Sequence, residues 1–197
     1  MGRLIIEQII SADGFAAETD GGIGFFIDAR AVNEVDPGQL QLLEGAGAIV
    51  LGRTTYRMFA DYWPDADPVE EPVAVPINTL PKYVVSNTLD AAPWGTRDSA
   101  TVLRGDGVAS VRALRARVDG DLIIWGSLTL CDALLLAGEV DLLRLRMVPV
   151  LIGAGRSFAP PDLGRRPLAL QSMQEFQQGL VVLEYDCMRA GPPGTAR

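Results

Sequence analysis

The 197-residue chain contains no histidine. Its absence excludes Ser-His-Asp and Cys-His nucleophilic catalysis, the two-histidine metalloprotease helix and nearly every catalytic zinc site except a carboxylate-rich one. Zinc-dependent base deamination, which sets a histidine or a third cysteine beside a C-x-x-C pair, falls with them. No metal site is expected. Cysteine is almost missing too: Cys131 and Cys187 stand far apart, too few for a disulfide framework and expected as inert core thiols. Positive charge is scarce, with 17 Lys and Arg against 25 Asp and Glu and a net charge of −8. Nucleic acids and anionic membranes reward a basic face, so neither is expected as a partner. No apolar run reaches 18 residues, and the first residues enter a strand pattern without the features of a secretory leader, so a cytoplasmic location is expected. Any chemistry must rest on carboxylates, hydroxyls, backbone groups or a cofactor.

What is present is 48% hydrophobic sequence in a length that suits one α/β domain. That domain is expected over residues 1–188, with a disordered tail at 189–197. Arg3–Ile10 reads as a buried strand, and residues 11–22 carry the turn chemistry of a mobile loop. Asp36-Pro37 opens a helix that ends near Gly45. Strands are then expected at Ala48–Leu51 and Lys82–Ser86, with a short one at Thr101–Leu103, and helices at Thr54–Ala60 and Val108–Val118. The proline-rich stretch Trp63–Pro76 reads as a surface excursion. Asp141–Val150 alternates as a long strand, and Pro167–Phe176 with Leu180–Met188 reads as a closing hairpin whose apolar face suits a homodimer seam. Alternating strands and helices predict a mainly parallel sheet, the hairpin adding an antiparallel edge.

Two strand exits stand out. Asp121-Leu-Ile-Ile-Trp-Gly-Ser-Leu-Thr-Leu130 runs from a buried strand through Gly126 straight into an apolar helix. Gly47-Ala-Ile-Val-Leu-Gly-Arg-Thr-Thr-Tyr56 repeats the device, with Gly52, Arg53 and two hydroxyls at a helix start. A helix that starts at a strand exit aims unpaired N–H groups and the positive end of its dipole at the crevice above the sheet, which suits phosphate. Two such turns, one bearing a guanidinium, suggest a dinucleotide. Together with residues 11–22 and Ser86-Asn-Thr88 they fall at the carboxyl ends of the strands, where open α/β sheets bind ligands. Neither a G-x-G-x-x-G after the first strand nor a P-loop lysine is present.

Ser11-Ala-Asp-Gly-Phe, Leu51-Gly-Arg-Thr-Thr-Tyr, Lys82-Tyr-Val-Val-Ser-Asn-Thr-Leu, Trp125-Gly-Ser-Leu-Thr-Leu and Pro149-Val-Leu-Ile-Gly-Ala-Gly occur in the order found in dihydrofolate reductase-fold proteins. Over about residues 3–188 the chain most resembles the branch similar to the reductase domain of bifunctional riboflavin-biosynthesis enzymes. The resemblance implies a three-layer α/β fold and an NADPH-dependent reductase. It implies Arg53 at the adenosine 2′-phosphate, Thr54 and Thr55 at the pyrophosphate, Ser86, Asn87 and Thr88 at the adenosine ribose, and Trp125 with Gly126, Ser127, Leu128, Thr129 and Leu130 at the second phosphate face. Ile9 to Ala17 would flank the nicotinamide and the substrate. Three departures stand out: Asn87 where a basic residue is common, Leu128 where a further glycine is common, and different loop lengths before the Gly-Arg turn, where an ungapped count puts the helix carboxylate of the folate enzymes near Asp36.

Asp13 is the first candidate for a substrate-side proton donor, although Asp-Gly is also a turn-former. Asp36 is the second, although an N-cap before Pro37 is the favoured reading; Asp28 is a third. Trp125 reads as core that also shapes a pocket. The expected activity is hydride transfer from NADPH to a C=N or C=O bond of a small heterocycle or metabolite. The alternatives are the ribosylamino-pyrimidine reductase step of riboflavin synthesis and a non-catalytic ligand sensor on the same fold.

Overall fold

The computed structural model describes residues 2–27 and 36–188; Asp28 and the segment 189–197 lie outside the described residues. Six parallel strands form the centre of a nine-stranded sheet: β8 (Leu142–Val148), β1 (Leu4–Ser11), β7 (Asp121–Trp125), β3 (Ala46–Gly52), β4 (Lys82–Val85) and β6 (Arg97–Leu103), in that spatial order. The expected hairpin, β10 (Ala169–Glu175) and β11 (Val181–Asp186), adds an antiparallel edge beside β8. Edge strand β10 leaves Leu170 and Met173 exposed. The layers are the expected three-layer α/β arrangement, with helices on both faces of a mainly parallel sheet.

Alternation along β1 divides the core. Leu4, Ile6 and Ile10 face one side, where α5 (Gly107–Arg115) brings Val111 and Leu114, and α6 (Leu128–Leu136) brings Leu130, Cys131 and Leu134. Ile5 faces the other side, covered by Leu43 of α2 (Pro37–Glu44), Tyr56 of α3 (Arg53–Tyr62) and Ile77 of α4 (Ala74–Thr79). A period of two in the strands thus supplies both helix layers. Among the described residues no helix is long and apolar enough to cross a membrane.

Several elements differ from the sequence expectation. The loop after β1 contains β2 (Phe15–Ala17), paired antiparallel with β9 (Arg156–Ser157), so the stretch read as mobile is tied to the glycine loop after β8. A short β5 (Ala92–Trp94) pairs with β6, which begins at Arg97, four residues earlier than expected. Polar residues open β6, so apolar patterning reveals only its end. The Trp63–Pro76 excursion holds a 3-10 turn at Trp63–Asp65 and the start of α4. Arg115 of α5 is largely buried against Asp141. Both thiols are free; Cys131 is buried and Cys187 half-buried, and burial pushes each up.

Lys82 is buried at the start of β4, where its Nζ donates to Leu80 O at 2.7 Å and lies 4.8 Å from the Trp94 ring centroid. Burial, with Arg97 adding to it, lowers the ammonium from 10.5 to about 8. An unfolded lysine therefore binds more protons than the folded one between about pH 8 and 10.5, so folding stability gains as pH rises through that window. Denaturant melts are expected to show wild type gaining on Lys82→Met between pH 7.5 and 10; a constant difference between the two chains contradicts this.

Candidate functional site at the carboxyl ends of the parallel strands

Among the described residues four helices have eight or more residues, and their starts divide into two kinds. The α2 and α5 starts are closed by their own carboxylates: Asp36 Oδ1 accepts from Gln39 N at 3.1 Å and Asp106 Oδ1 from Ala109 N at 2.8 Å. The α3 and α6 starts have no side-chain cap, and they follow the neighbouring strands β3 and β7. Their leading N–H groups have no intrahelical acceptor and sit at the positive helix ends, side by side.

These two turns interlock. Gly52 N donates to Ser127 Oγ at 2.8 Å, and Ser127 N donates to Thr55 Oγ1 at 2.8 Å. Gly126 and Ser127 take φ values of 52° and 53°, and Ser127 is the only non-glycine at positive φ among the described residues. A Cβ on Gly126 would lie 3.0 Å from Thr55 Oγ1, so a side chain here makes Thr55 give way and disturbs its bond to Ser127 N. Gln8, buried on β1, donates from Nε2 to Gly126 O at 2.6 Å and fixes the turn from below. The result is a rigid concavity of backbone groups with Arg53 and Thr54 exposed at its rim.

The Ser86–Thr88 loop lies beyond Arg53. Arg53 Nη1 donates to Thr88 Oγ1 at 2.9 Å, while Ser86 Oγ accepts from Thr88 N and Leu89 N, each at 3.2 Å. Asn87 clamps the loop to the next strand exit: its Oδ1 accepts from Gly105 N at 2.7 Å and its Nδ2 donates to Gly105 O at 3.2 Å.

On the α2 side the sheet carries a buried charged row that sequence patterning missed. Trp125, Glu7, Arg144 and Glu184 are register neighbours across β7, β1, β8 and β11. Trp125 Nε1 donates to Glu7 Oε1 at 2.9 Å, and Glu7 Oε2 takes Arg144. Arg144 also donates to Asp36, and its Nε donates to Glu184 Oε1 at 2.9 Å; Arg146 Nη1 donates to Asp36 Oδ2 at 2.9 Å. Burial pulls the Arg144 guanidinium down, and Glu7 and Asp36 together outweigh it, so the group is raised above its usual value. The signal was present as isolated charges in apolar strands: Glu7 within Leu4–Ile10, and Arg144 and Arg146 two apart, hence on one face.

The candidate site residues therefore fall into distinct places. Gly52, Arg53, Thr54, Thr55, Gly126, Ser127, Leu128 and Thr129 meet at the paired turns, and Ser86, Asn87 and Thr88 lie beside Arg53. Leu130 does not join them, because its side chain is core and its N–H donates to Ser127 O at 2.8 Å. Trp125 is buried against Glu7, with its ring 5.8 Å from that of Phe59. Ile9 borders the Phe25 cluster, and Ala17 is buried in β2. Asp36 is an N-cap whose second oxygen is held by two arginines, which supports the cap reading over the substrate-carboxylate one. Asp13 accepts from Ser11 Oγ at 2.6 Å and from Gly153 N at 2.7 Å, joining two loops. The Ser11 hydroxyl, against slight desolvation and helped by the Gly153 and Ile152 N–H groups, holds its carboxyl below the usual value. Such a group stays ionised at neutral pH, which counts against the proton-donor reading.

Residues 3–182 match the family described as the RibD C-terminal domain. The chain belongs to that family. The RibD C-terminal domain seen here is similar over 186 residues to the uncharacterized protein YyaP of Bacillus subtilis, at 24% identity and with 93% and 94% of the two chains covered. Among solved structures it resembles a putative riboflavin biosynthesis protein from Shewanella sp. PV-4, with a TM-score of 0.76, 24% identity and coverage of 95% and 99%. It also resembles dihydrofolate reductase from Enterococcus faecalis complexed with NADP(H), with a TM-score of 0.56, 15% identity and 94% of each chain covered. The RibD C-terminal domain is thus a reductase-type fold.

Proposed function

We propose that the chain is an NADPH-dependent reductase that delivers a hydride to a C=N or C=O bond of a small heterocyclic or metabolite substrate. The observation that carries this reading is the contrast among helix starts: α2 and α5 are capped by aspartates, whereas α3 and α6 are uncapped, adjacent and locked together at the strand ends. Two adjoining anion cradles suit a pyrophosphate, and the glycine at 126 lets Thr55 close the two turns against each other. When bound, the nicotinamide cofactor supplies the hydride. The chain's own groups bind and orient. Arg53, with Thr54 and Thr55, holds the phosphates, and Gln8 keeps Gly126 in place. Trp125, fixed by Glu7, packs against the Phe59 ring on the α2 and α3 side, and this aromatic pair would border a planar substrate. With Asp13 ionised and Asp36 closed off, the proton that completes reduction comes from water at the open strand ends.

The test is calorimetric titration of the purified chain with NADPH and with NADH, alongside Arg53→Ala. NADPH is expected to bind in the micromolar range and more tightly than NADH, and Arg53→Ala to weaken NADPH about tenfold or more, the scale of a lost charge-assisted phosphate contact. A folded sample that binds neither nucleotide sinks the reading.

A further inference from the structure

Leu170 and Met173 on edge strand β10 are 57% and 69% exposed. Three residues apart in an even strand, they would point to opposite faces of the sheet. They do not, because the register slips between Leu170 and Ser172 and leaves Gln171 outside the ladder. Before the slip Leu170 pairs with Tyr185, and after it Met173 pairs with Leu183; Tyr185 and Leu183 both lie on the α5 and α6 side of the sheet. A bulge re-aims a side chain, and this one sets both exposed apolar groups on one face. Val181 and Met147, themselves register partners and half-buried, continue that face across β11 and β8. Exposed apolar side chains gathered on one face with a polar rim mark an interaction surface. The charges around it are sorted by end: Ala169 to Gln174 carry none, Glu175 closes the strand, and Arg165 and Arg166 precede it, all three charged residues being exposed.

We propose that this face is the seam of a homodimer in which the β10–β11 hairpins of two copies pack face to face, with their β10 strands antiparallel about a two-fold axis. Charge complementarity selects a second copy as the occupant and fixes its direction. A copy turned end for end brings its Arg165 and Arg166 to Glu175, and the two-fold repeats the match at the other end. A parallel arrangement would set Glu175 against Glu175. Packing is by the face rather than by extension of the sheet, because the bulge interrupts the outward row of backbone groups along β10. The proposal does not depend on the reductase reading.

Sedimentation equilibrium of the full chain over a range of micromolar concentrations tests this. Wild type is expected to sediment at twice the mass of the chain. Met173→Asp puts a carboxylate into the seam at a position that is solvated in the single chain, so circular dichroism is expected to stay unchanged while the dissociation constant rises about thirtyfold or more, the scale of a lost interface hot spot. Glu175→Arg is expected to weaken the dimer about tenfold, the scale of two exposed ion pairs turned into repulsions, and adding Arg166→Glu to the same chain to restore most of the loss. A wild type that stays monomeric overturns the proposal and leaves the face to a different partner. A dimer indifferent to Met173→Asp has its seam elsewhere and overturns it too. A dimer that Met173→Asp breaks, but that the charge exchange does not restore, overturns the antiparallel arrangement.

Discussion

Arg144→Met is expected to destabilise the fold by about 3–5 kcal/mol, the range for removing one partner from a buried ion pair. Arg144 is 1% exposed and contacts Glu7, Asp36 and Glu184, of which Glu7 and Asp36 are themselves buried. Methionine matches its bulk and leaves the buried Glu7 carboxylate without its counter-ion and Asp36 with Arg146 alone. A domain's total stability is about 5–15 kcal/mol, so the loss is a large share of it. Arg144→Lys is expected to fall between, because one ammonium nitrogen cannot span the three carboxylates that Nη1, Nη2 and Nε of the guanidinium reach separately. Urea unfolding of the three chains at one pH measures the order. A methionine variant within about 1 kcal/mol of wild type would mean that the row contributes no net stability, the outcome known for buried pairs whose desolvation cost equals their attraction. Because Glu7 also receives the Trp125 indole, loss of the row is expected to loosen the aromatic wall along with the fold.

Gly126→Ala is expected to remove most nucleotide binding while leaving a folded chain. Two causes act together. The φ of 52° places Gly126 in the left-handed region, where a side chain costs about 1–2 kcal/mol, and the new Cβ would lie 3.0 Å from Thr55 Oγ1 and 3.2 Å from its Cγ2. The cheapest relief is to push the α3 start away from the α6 start, which opens the paired cradle. Titration with NADPH is expected to show a loss of at least about tenfold, since a shift of a few tenths of an ångström spoils several backbone contacts at once. Thr55→Ala supplies the control: it removes both clashing atoms, so adding Gly126→Ala to that background is expected to cost less than in wild type. Equal costs in the two backgrounds would assign the whole effect to backbone strain and none to the interlock.

The main lines of fold and site were legible in the sequence for a common reason: they depend on neighbours along the chain. Strands β1, β3, β7 and β8 show as apolar runs, the α2 start as Asp36-Pro37, and the two cradles as strand, small residue and helix start. Elements with few local signals were missed. β5 has three residues, and β6 opens on Arg97, Asp98 and Ser99. Leu130 follows the α6 start in sequence, but its rotation about the helix axis carries its side chain into the core.

By itself the sequence determined the alternation of strand and helix, the absence of histidine chemistry and the two turns able to cradle phosphate, because periodicity and backbone geometry act over a few residues. Only the tertiary structure decided that Glu7, Arg144 and Glu184 align across three strands, that Thr55 closes on Gly126, and that Asn87 ties the Ser86–Thr88 loop to Gly105. Those meetings depend on strand order and register. They are set by how a whole sheet packs between two helix layers, which no single stretch of the chain encodes.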